Sequence, residues 1–170
     1  FTDCKIQDNL SKGESSAAIY LNSAKLQMKG CEMTGNQALL SGGSVIYTPT
    51  GSTITLDSCT ITGNITKGTA TNYRGAVYVS GGSEKLTITG ATVIDENYIA
   101  VDGNQVERNV YMQRDPAVDV GGLTDSANVG IFTHSGTKST PTMITAAVAP
   151  TGWVRGWVIY DNNGMAVDYT

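Results

Sequence analysis

The chain has 170 residues, 40% of them hydrophobic and only 15% charged, with 20 glycines, 22 threonines and a formal net charge of −4. That suffices for one packed core, and the Gly and Thr excess favours strands and turns over helices. The 11 lysines and arginines are scattered, which excludes the basic footprint of a nucleic-acid binder, and no apolar run approaches the length of a membrane span.

Taken in chain order, the first strand signal is Cys4-Lys5-Ile6-Gln7-Asp8-Asn9. It returns as Cys31-Glu32-Met33-Thr34-Gly35-Asn36 and as Cys59-Thr60-Ile61-Thr62-Gly63-Asn64, then in degenerate form as Thr92-Val93-Ile94-Asp95-Glu96-Asn97. The asparagines are 27, 28 and 33 residues apart. A second signal places a tyrosine 11 to 14 residues after each of them: Ile19-Tyr20-Leu21, Ile46-Tyr47-Thr48, Val77-Tyr78-Val79 and Val110-Tyr111-Met112. A third follows as Lys25-Leu26-Gln27-Met28, Thr53-Ile54-Thr55-Leu56 and Lys85-Leu86-Thr87-Ile88. Short strands recurring in a fixed order at this period are the mark of a solenoid.

Alternation assigns the faces, because side chains flip at every residue of a strand. Leu26, Met28, Ile54, Leu56, Leu86 and Ile88 point inward, as do Cys4, Cys31, Cys59 and the residue two after each. Ile19, Ile46, Val77 and Val110 also point inward, which turns the four tyrosines outward. Each strand pairs with its copy one coil on, in the same direction, so the sheets are parallel. Three strands per turn predict a triangular coil, and the sides are longer and less regular than six-residue left-handed coils allow. The expected fold is all-β: a right-handed parallel β-helix of the pectate-lyase-like kind. Asn9, Asn36, Asn64 and Asn97 recur at one corner, where amides stack into a ladder and where Asn tolerates left-handed backbone. That outweighs reading Asn9-Leu10-Ser11 and Asn64-Ile65-Thr66 as glycosylation sequons.

Residues 1–115 read as about four such coils. Over 116–170 the pattern fades into a final irregular coil and a capping β-hairpin, with Asn162-Asn163-Gly164 as its turn and both tryptophans nearby. The chain opens at Phe1 in mid-pattern with no basic leader, and the expectation is a segment that continues into further coils or domains of a longer protein.

Gly42-Gly43-Ser44-Val45-Ile46-Tyr47 and Arg74-Gly75-Ala76-Val77-Tyr78-Val79, each tied to a hydrophobic-x-x-Asn, resemble the GGA(I/L/V) and FxxN repeats of polymorphic outer-membrane adhesins. They are similar also to the β-helix repeats of large secreted proteins of gut bacteria. In those, a run like Asn109 to Met112, a Gly-Leu-Thr stretch like Gly122 to Gly130 and an ending like Tyr160 to Gly164 are common. The resemblance implies a secreted or surface-anchored bacterial protein.

Chemistry-bearing residues are few. Tyr20, Tyr47, Tyr78 and Tyr111 form an outward column whose ring faces suit sugar rings, beside the plainer reading of cross-strand aromatic packing. The longest insertion, Asn64 to Arg74, offers Tyr73, Arg74 and Lys67 as contacts. Asp102, Asn104 and Glu107 are oxygen ligands at a spacing that admits calcium, beside the reading of a solvated loop. No other cofactor is expected. The three cysteines read as buried thiols, with no zinc spacing. Hydrolases and lyases on this fold need clustered acids; the coils offer few, none recurring beside another in the next coil, and the denser group is Asp95, Glu96, Asp102 and Glu107. The expected function is therefore a non-catalytic extracellular module, an adhesin or stalk whose partner is a glycan or a host surface protein, with no nucleic-acid partner and no membrane insertion by this segment. The alternative is a fragment of a carbohydrate-active β-helix enzyme.

Overall fold

A computed structural model describes residues 1–13, 18–40, 43–67, 74–81, 83–113, 117–124, 126–133, 144–145 and 159–161. The first coil holds β1 (Lys5–Gln7), β2 (Leu10–Ser11), β3 (Ile19–Asn22) and β4 (Lys25–Lys29). The second holds β5 (Glu32–Thr34), β6 (Gln37–Ala38), β7 (Ile46–Thr50) and β8 (Thr53–Asp57). The third holds β9 (Thr60–Thr62), β10 (Ile65–Lys67), β11 (Val77–Val79) and β12 (Lys85–Gly90). The fourth holds β13 (Val93–Asp95), β14 (Tyr98–Val101), β15 (Asn104–Glu107), β16 (Val110–Met112) and β17 (Ala117–Leu123). Beyond it come β18 (Asn128–Val129), β19 (Ile131–Thr133), β20 (Ile144–Thr145) and β21 (Ile159–Asp161).

These strands stack into four sheets, and the chain is an all-β parallel solenoid. The first sheet is β1-β5-β9-β13-β18, the third β3-β7-β11-β16-β19-β21 and the fourth β4-β8-β12-β17-β20, every pairing parallel and nearly all in the register the repeats predict. The second sheet, β2-β6-β10-β14, adds a fourth strand to each coil where the sequence predicted three. Its first members are two residues long, too short to show alternation. The sheet ends differently from the others: β14 turns at Asp102-Gly103 and returns as β15, which pairs antiparallel and closes that edge. Past residue 115, β17, β18 and β19 continue three of the sheets. Of the expected capping hairpin only Ile159–Asp161 is described, as a parallel strand on β19; Asn162-Asn163-Gly164 and the tryptophans lie outside the described residues.

The core follows the predicted faces. Leu26, Met28, Ile54, Leu56, Leu86 and Ile88 are buried in one cluster with Cys31, Met33, Cys59, Ile61, Ile46, Val77 and Val110. Cys4, Ile6 and Ile19, in the first coil, are only partly buried because no described coil covers them. The thiols are free, and each donates to the carbonyl two residues earlier: Cys4 to Thr2, Cys31 to Lys29 and Cys59 to Asp57, at 3.2, 3.3 and 3.4 Å. In the fourth coil Thr92 replaces cysteine, and its hydroxyl donates to the Thr89 carbonyl at 2.7 Å while accepting from the Cys59 amide.

The asparagine ladder is present. Asn9 Nδ2 donates to Asn36 Oδ1 at 2.8 Å, Asn36 to Asn64 at 2.9 Å and Asn64 to Asn97 at 2.8 Å. Each Oδ1 also accepts the backbone amide of the asparagine below, and the inner amides reach a carbonyl of the coil before. This leaves the buried amides of Asn36, Asn64 and Asn97 satisfied, which rules the Asn64 sequon out as an accessible acceptor. One expectation is corrected. The left-handed residue is not the asparagine but the one before it: Asp8, Gly35, Gly63 and Glu96, with φ of 54, 65, 64 and 52°. The preceding residue makes the turn, which leaves the asparagine free to aim its amide inward.

The ladder has a fifth member that the repeat hides. The β14–β15 hairpin brings the chain back over Asn97, so that Asn97 Nδ2 donates to Asn109 Oδ1 at 2.9 Å. Asn109 Nδ2 then donates to Glu107 Oε1 at 2.8 Å. A row of aligned amide dipoles thus ends with its positive pole on a carboxylate, the favourable sign.

Candidate functional site

The third sheet carries the aromatic column. Its register sets Tyr20 beside Tyr47, Tyr47 beside Tyr78 and Tyr78 beside Tyr111. The rings touch in sequence. Tyr20 meets Tyr47 edge to face, with centroids 5.4 Å apart and planes at 72°. Tyr47 and Tyr78 are stacked at 5.1 Å and 9°, and Tyr78 and Tyr111 at 5.6 Å and 30°. The same register carries on to Phe132 and Tyr160, two aromatic positions the sequence reading passed over. The signal was there: Ile131-Phe132 and Ile159-Tyr160 repeat the Ile-Tyr step of the earlier coils, at irregular spacing.

The column is not uniformly open. Tyr20 is 49% exposed, Tyr47 is half-buried, and Tyr78 and Tyr111 are 3% and 6% exposed. The tyrosines form one column packed across strands, the plainer of the two readings, and the expectation that all four are open to a ligand is corrected at Tyr78 and Tyr111, which face away from the main core yet are covered. The Tyr78 hydroxyl donates to Gln113 Oε1. Burial pushes the Tyr78 phenol up to about 12, against a smaller opposing pull from the Arg74 charge. Burial also raises Tyr111, with Arg108 opposing. The two inner rings are scaffold for the outer two.

Arg74 joins the column from the second sheet's side. Its carbonyl accepts from the hydroxyl of buried Thr66, on β10, at 3.1 Å. The next residue, Gly75, runs so close to the β15–β16 connection that a Cβ there would stand 2.8 Å from the Asn109 carbonyl oxygen. From this fixed base the guanidinium reaches the tyrosines, with Cζ 4.8 Å from the centroid of Tyr47 and 4.8 Å from that of Tyr78. With the ring centroids themselves 5.1 Å apart, the three points form a nearly equilateral triangle. The cation lies over the seam of the stacked pair, not between the rings. Of the other insertion residues, Lys67 is exposed at the end of β10 and Tyr73 lies outside the described residues.

The calcium set does not assemble. Asp102 sits at the tip of the β14–β15 turn with φ of 50°, and Asn104 is the first residue of β15. Glu107 pairs with Tyr98 at the far end of the hairpin, and its carboxylate takes the Asn109 amide. Asn104 and Glu107 stand at opposite ends of the four-residue strand β15, which holds apart the ligands that the spacing had suggested would converge. Among the described residues no group of three or more His, Cys, Asp or Glu side chains is placed to hold a metal ion. Elsewhere, Asp95 accepts from Asn128 at 2.6 Å and Asp57 is held low by Ser58 and Lys29. Glu84, buried at the corner before β12, accepts the Gly51 amide at 2.9 Å. Comparison with family models, curated proteins and solved structures gives no match.

Proposed function

We propose that this chain is a non-catalytic, extracellular recognition module, a rigid stalk or adhesin segment of a bacterial surface protein, whose tyrosine column engages glycans. The observation that carries the reading is the open end of that column. Tyr20 and Tyr47 offer aromatic surface to solvent, held in place by the buried stack of Tyr78 and Tyr111 and flanked by a half-buried arginine. Aromatic rings fixed by their neighbours lose little entropy when a ligand stacks on them. A solenoid suits such display, because each coil is stabilised by the next and its loops are free to vary. The resemblance to bacterial adhesin repeats and the sparse acid groups point the same way.

The test is binding of the chain to a panel of polysaccharides and mucin-type glycans, with Tyr20→Ala alongside and with newly formed reducing or unsaturated ends assayed in the same samples. Binding that falls in Tyr20→Ala, without product, supports the reading. Product formation makes the chain part of a carbohydrate-active enzyme, and no binding to any glycan removes the reading.

A further inference from the structure

Beside the open end of the column the sheet slips register. Tyr20 pairs with Tyr47 but Asn22 pairs with Thr50, so β7 holds one residue more than β3 over this stretch. Such a bulge is rare in a parallel pair, and bulges re-aim side chains next to sites. Here it sets Thr50 against Asn22, and the Thr50 hydroxyl donates to Asn22 Oδ1 at 3.1 Å, with both residues exposed. By alternation Asn22 shares the outward face of Tyr20, two residues before it. The later pairings of this sheet, β7 with β11 and β11 with β16, run in step, so the polar rung belongs to the first two coils. We propose that this end of the column takes one uncharged pyranose, with a ring face on Tyr20 and two neighbouring hydroxyls on the Asn22–Thr50 rung. The inference rests on the glycan reading and narrows it to a ligand class.

The rings limit the ligand to a single residue. Tyr20 and Tyr47 stand at 72°, so they share no flat shelf on which successive sugars of a chain lie. The rings that do lie parallel, Tyr47 and Tyr78, are closed at Tyr78, which is covered. Stacking is therefore available on Tyr20 and ends there. The rung supplies the polar half. Asn22 Oδ1 is held by Thr50, while its Nδ2, with two N–H donors, has no partner among the described residues. The Thr50 oxygen has given its proton to Asn22 and keeps its lone pairs. A sugar hydroxyl both donates and accepts, so one accepts from Asn22 Nδ2 while its neighbour donates to Thr50 Oγ1. Because the two side chains already fix each other, little side-chain freedom is lost on binding.

Charge narrows the ligand further. Tyr20, Asn22 and Thr50 carry none, and a net −4 over the chain repels anions. Recognition then depends on ring contact and on the placement of hydroxyls, which is how one uncharged epimer is told from another.

The deciding experiment measures binding of the methyl glycosides of galactose, glucose and mannose to the unmutated chain by NMR titration. These differ only in the configuration of their hydroxyls. The methyl glycoside of galacturonate and a tetrasaccharide of the preferred sugar are measured alongside. The preferred epimer should bind at least about fivefold tighter than the weakest, as one hydrogen bond gives. The tetrasaccharide should bind within about threefold of the single sugar, since further residues find no platform, and galacturonate no tighter than galactose. Asn22→Ala and Thr50→Val should each erase the preference among epimers, while Tyr20→Ala weakens every glycoside. Circular dichroism and thermal melts establish that each variant is folded, and the epimer comparison needs no variant. Four results overturn the inference and leave the glycan reading standing: equal binding of all epimers, a preference that survives Asn22→Ala, tighter binding of the acid, or a polysaccharide bound where no methyl glycoside is. So does an affinity that climbs more than about tenfold with chain length. Failure of every glycoside and polysaccharide to bind overturns both.

Discussion

Two columns climb the same coils and meet opposite fates. The asparagine ladder is alike at each inner rung: Asn36, Asn64 and Asn97 are buried, bonded above and below, and each reaches a carbonyl of the coil before, with Asn64 and Asn97 also reaching the carbonyl two residues back. The tyrosine column starts from equal residues and grades from half-exposed Tyr20 to sealed Tyr78. The difference lies in what each column faces. The asparagines look inward, where the solenoid supplies the same surroundings in every turn. The tyrosines look outward, where surroundings come from connections that differ from coil to coil. Repetition in sequence therefore dictates equivalence inside the coil and leaves the outside free to specialise.

The sharpest way to break this contrast is at Asn64. Asn64→Ala removes the acceptor of two Asn36 donors and the partner of Asn97 Oδ1, and takes the donor from the buried Met33 carbonyl and the partly buried Thr62 carbonyl. We expect a loss of about 3–5 kcal/mol in chemical denaturation, against under about 1 kcal/mol for Asn9→Ala at the exposed end. Similar losses at both rungs would mean that the ladder does not depend on burial. In the tyrosine column the same logic predicts about 3 kcal/mol for Tyr78→Ala and under about 1 kcal/mol for Tyr20→Ala.

Alkaline pH sharpens the comparison without truncating a ring. The Tyr78 phenol titrates near 12 in the folded chain, above its ordinary 10.0, so the folded state holds its proton more tightly than the unfolded one. Stability from this group is complete below about pH 10 and is lost as pH rises through 12, on the order of 2 kcal/mol in all. Cys59, raised by burial from 9.0, and Tyr111 act with the same sign. Denaturation midpoints measured from pH 9 upward should therefore fall less steeply in Tyr78→Phe than in the parent; an unchanged slope would contradict the assignment. The smallest effect is expected at the ladder's end. Glu107→Gln keeps an acceptor for Asn109 and loses only the charge, which should lower stability by about 1 kcal/mol or less in thermal melts.

Much of this was legible in the sequence, and the exceptions have physical reasons. Alternation placed Leu26 through Ile88 inward because a strand has only two sides. The ladder was legible because an asparagine returned once per coil. The left-handed corner was assigned one residue late, although Gly35-Asn36 and Gly63-Asn64 both show the glycine in front. Asn109 was missed because it lies 12 residues after Asn97, reached by a hairpin and not by a coil. The second sheet was missed because Leu10–Ser11 and Gln37–Ala38 are too short to alternate. At the site, the tyrosine column and Arg74 were visible, but their exposure was not: it depends on how Gly75, Thr66 and Gln113 bring other segments over the rings, which no local pattern encodes.

The stacking of coils also sets how the molecule bears load. Neighbouring coils hold one another through parallel backbone bonds, the amide rung, the stacked tyrosines and a shared apolar core. Tension applied along the chain should release it coil by coil, like thread from a reel. The successive asparagine spacings of 27, 28 and 33 residues set the extension released at each step, roughly 90–115 Å. A force trace would then show a sawtooth whose teeth are unequal, with the wider one marking the coil that carries the Arg74 insertion.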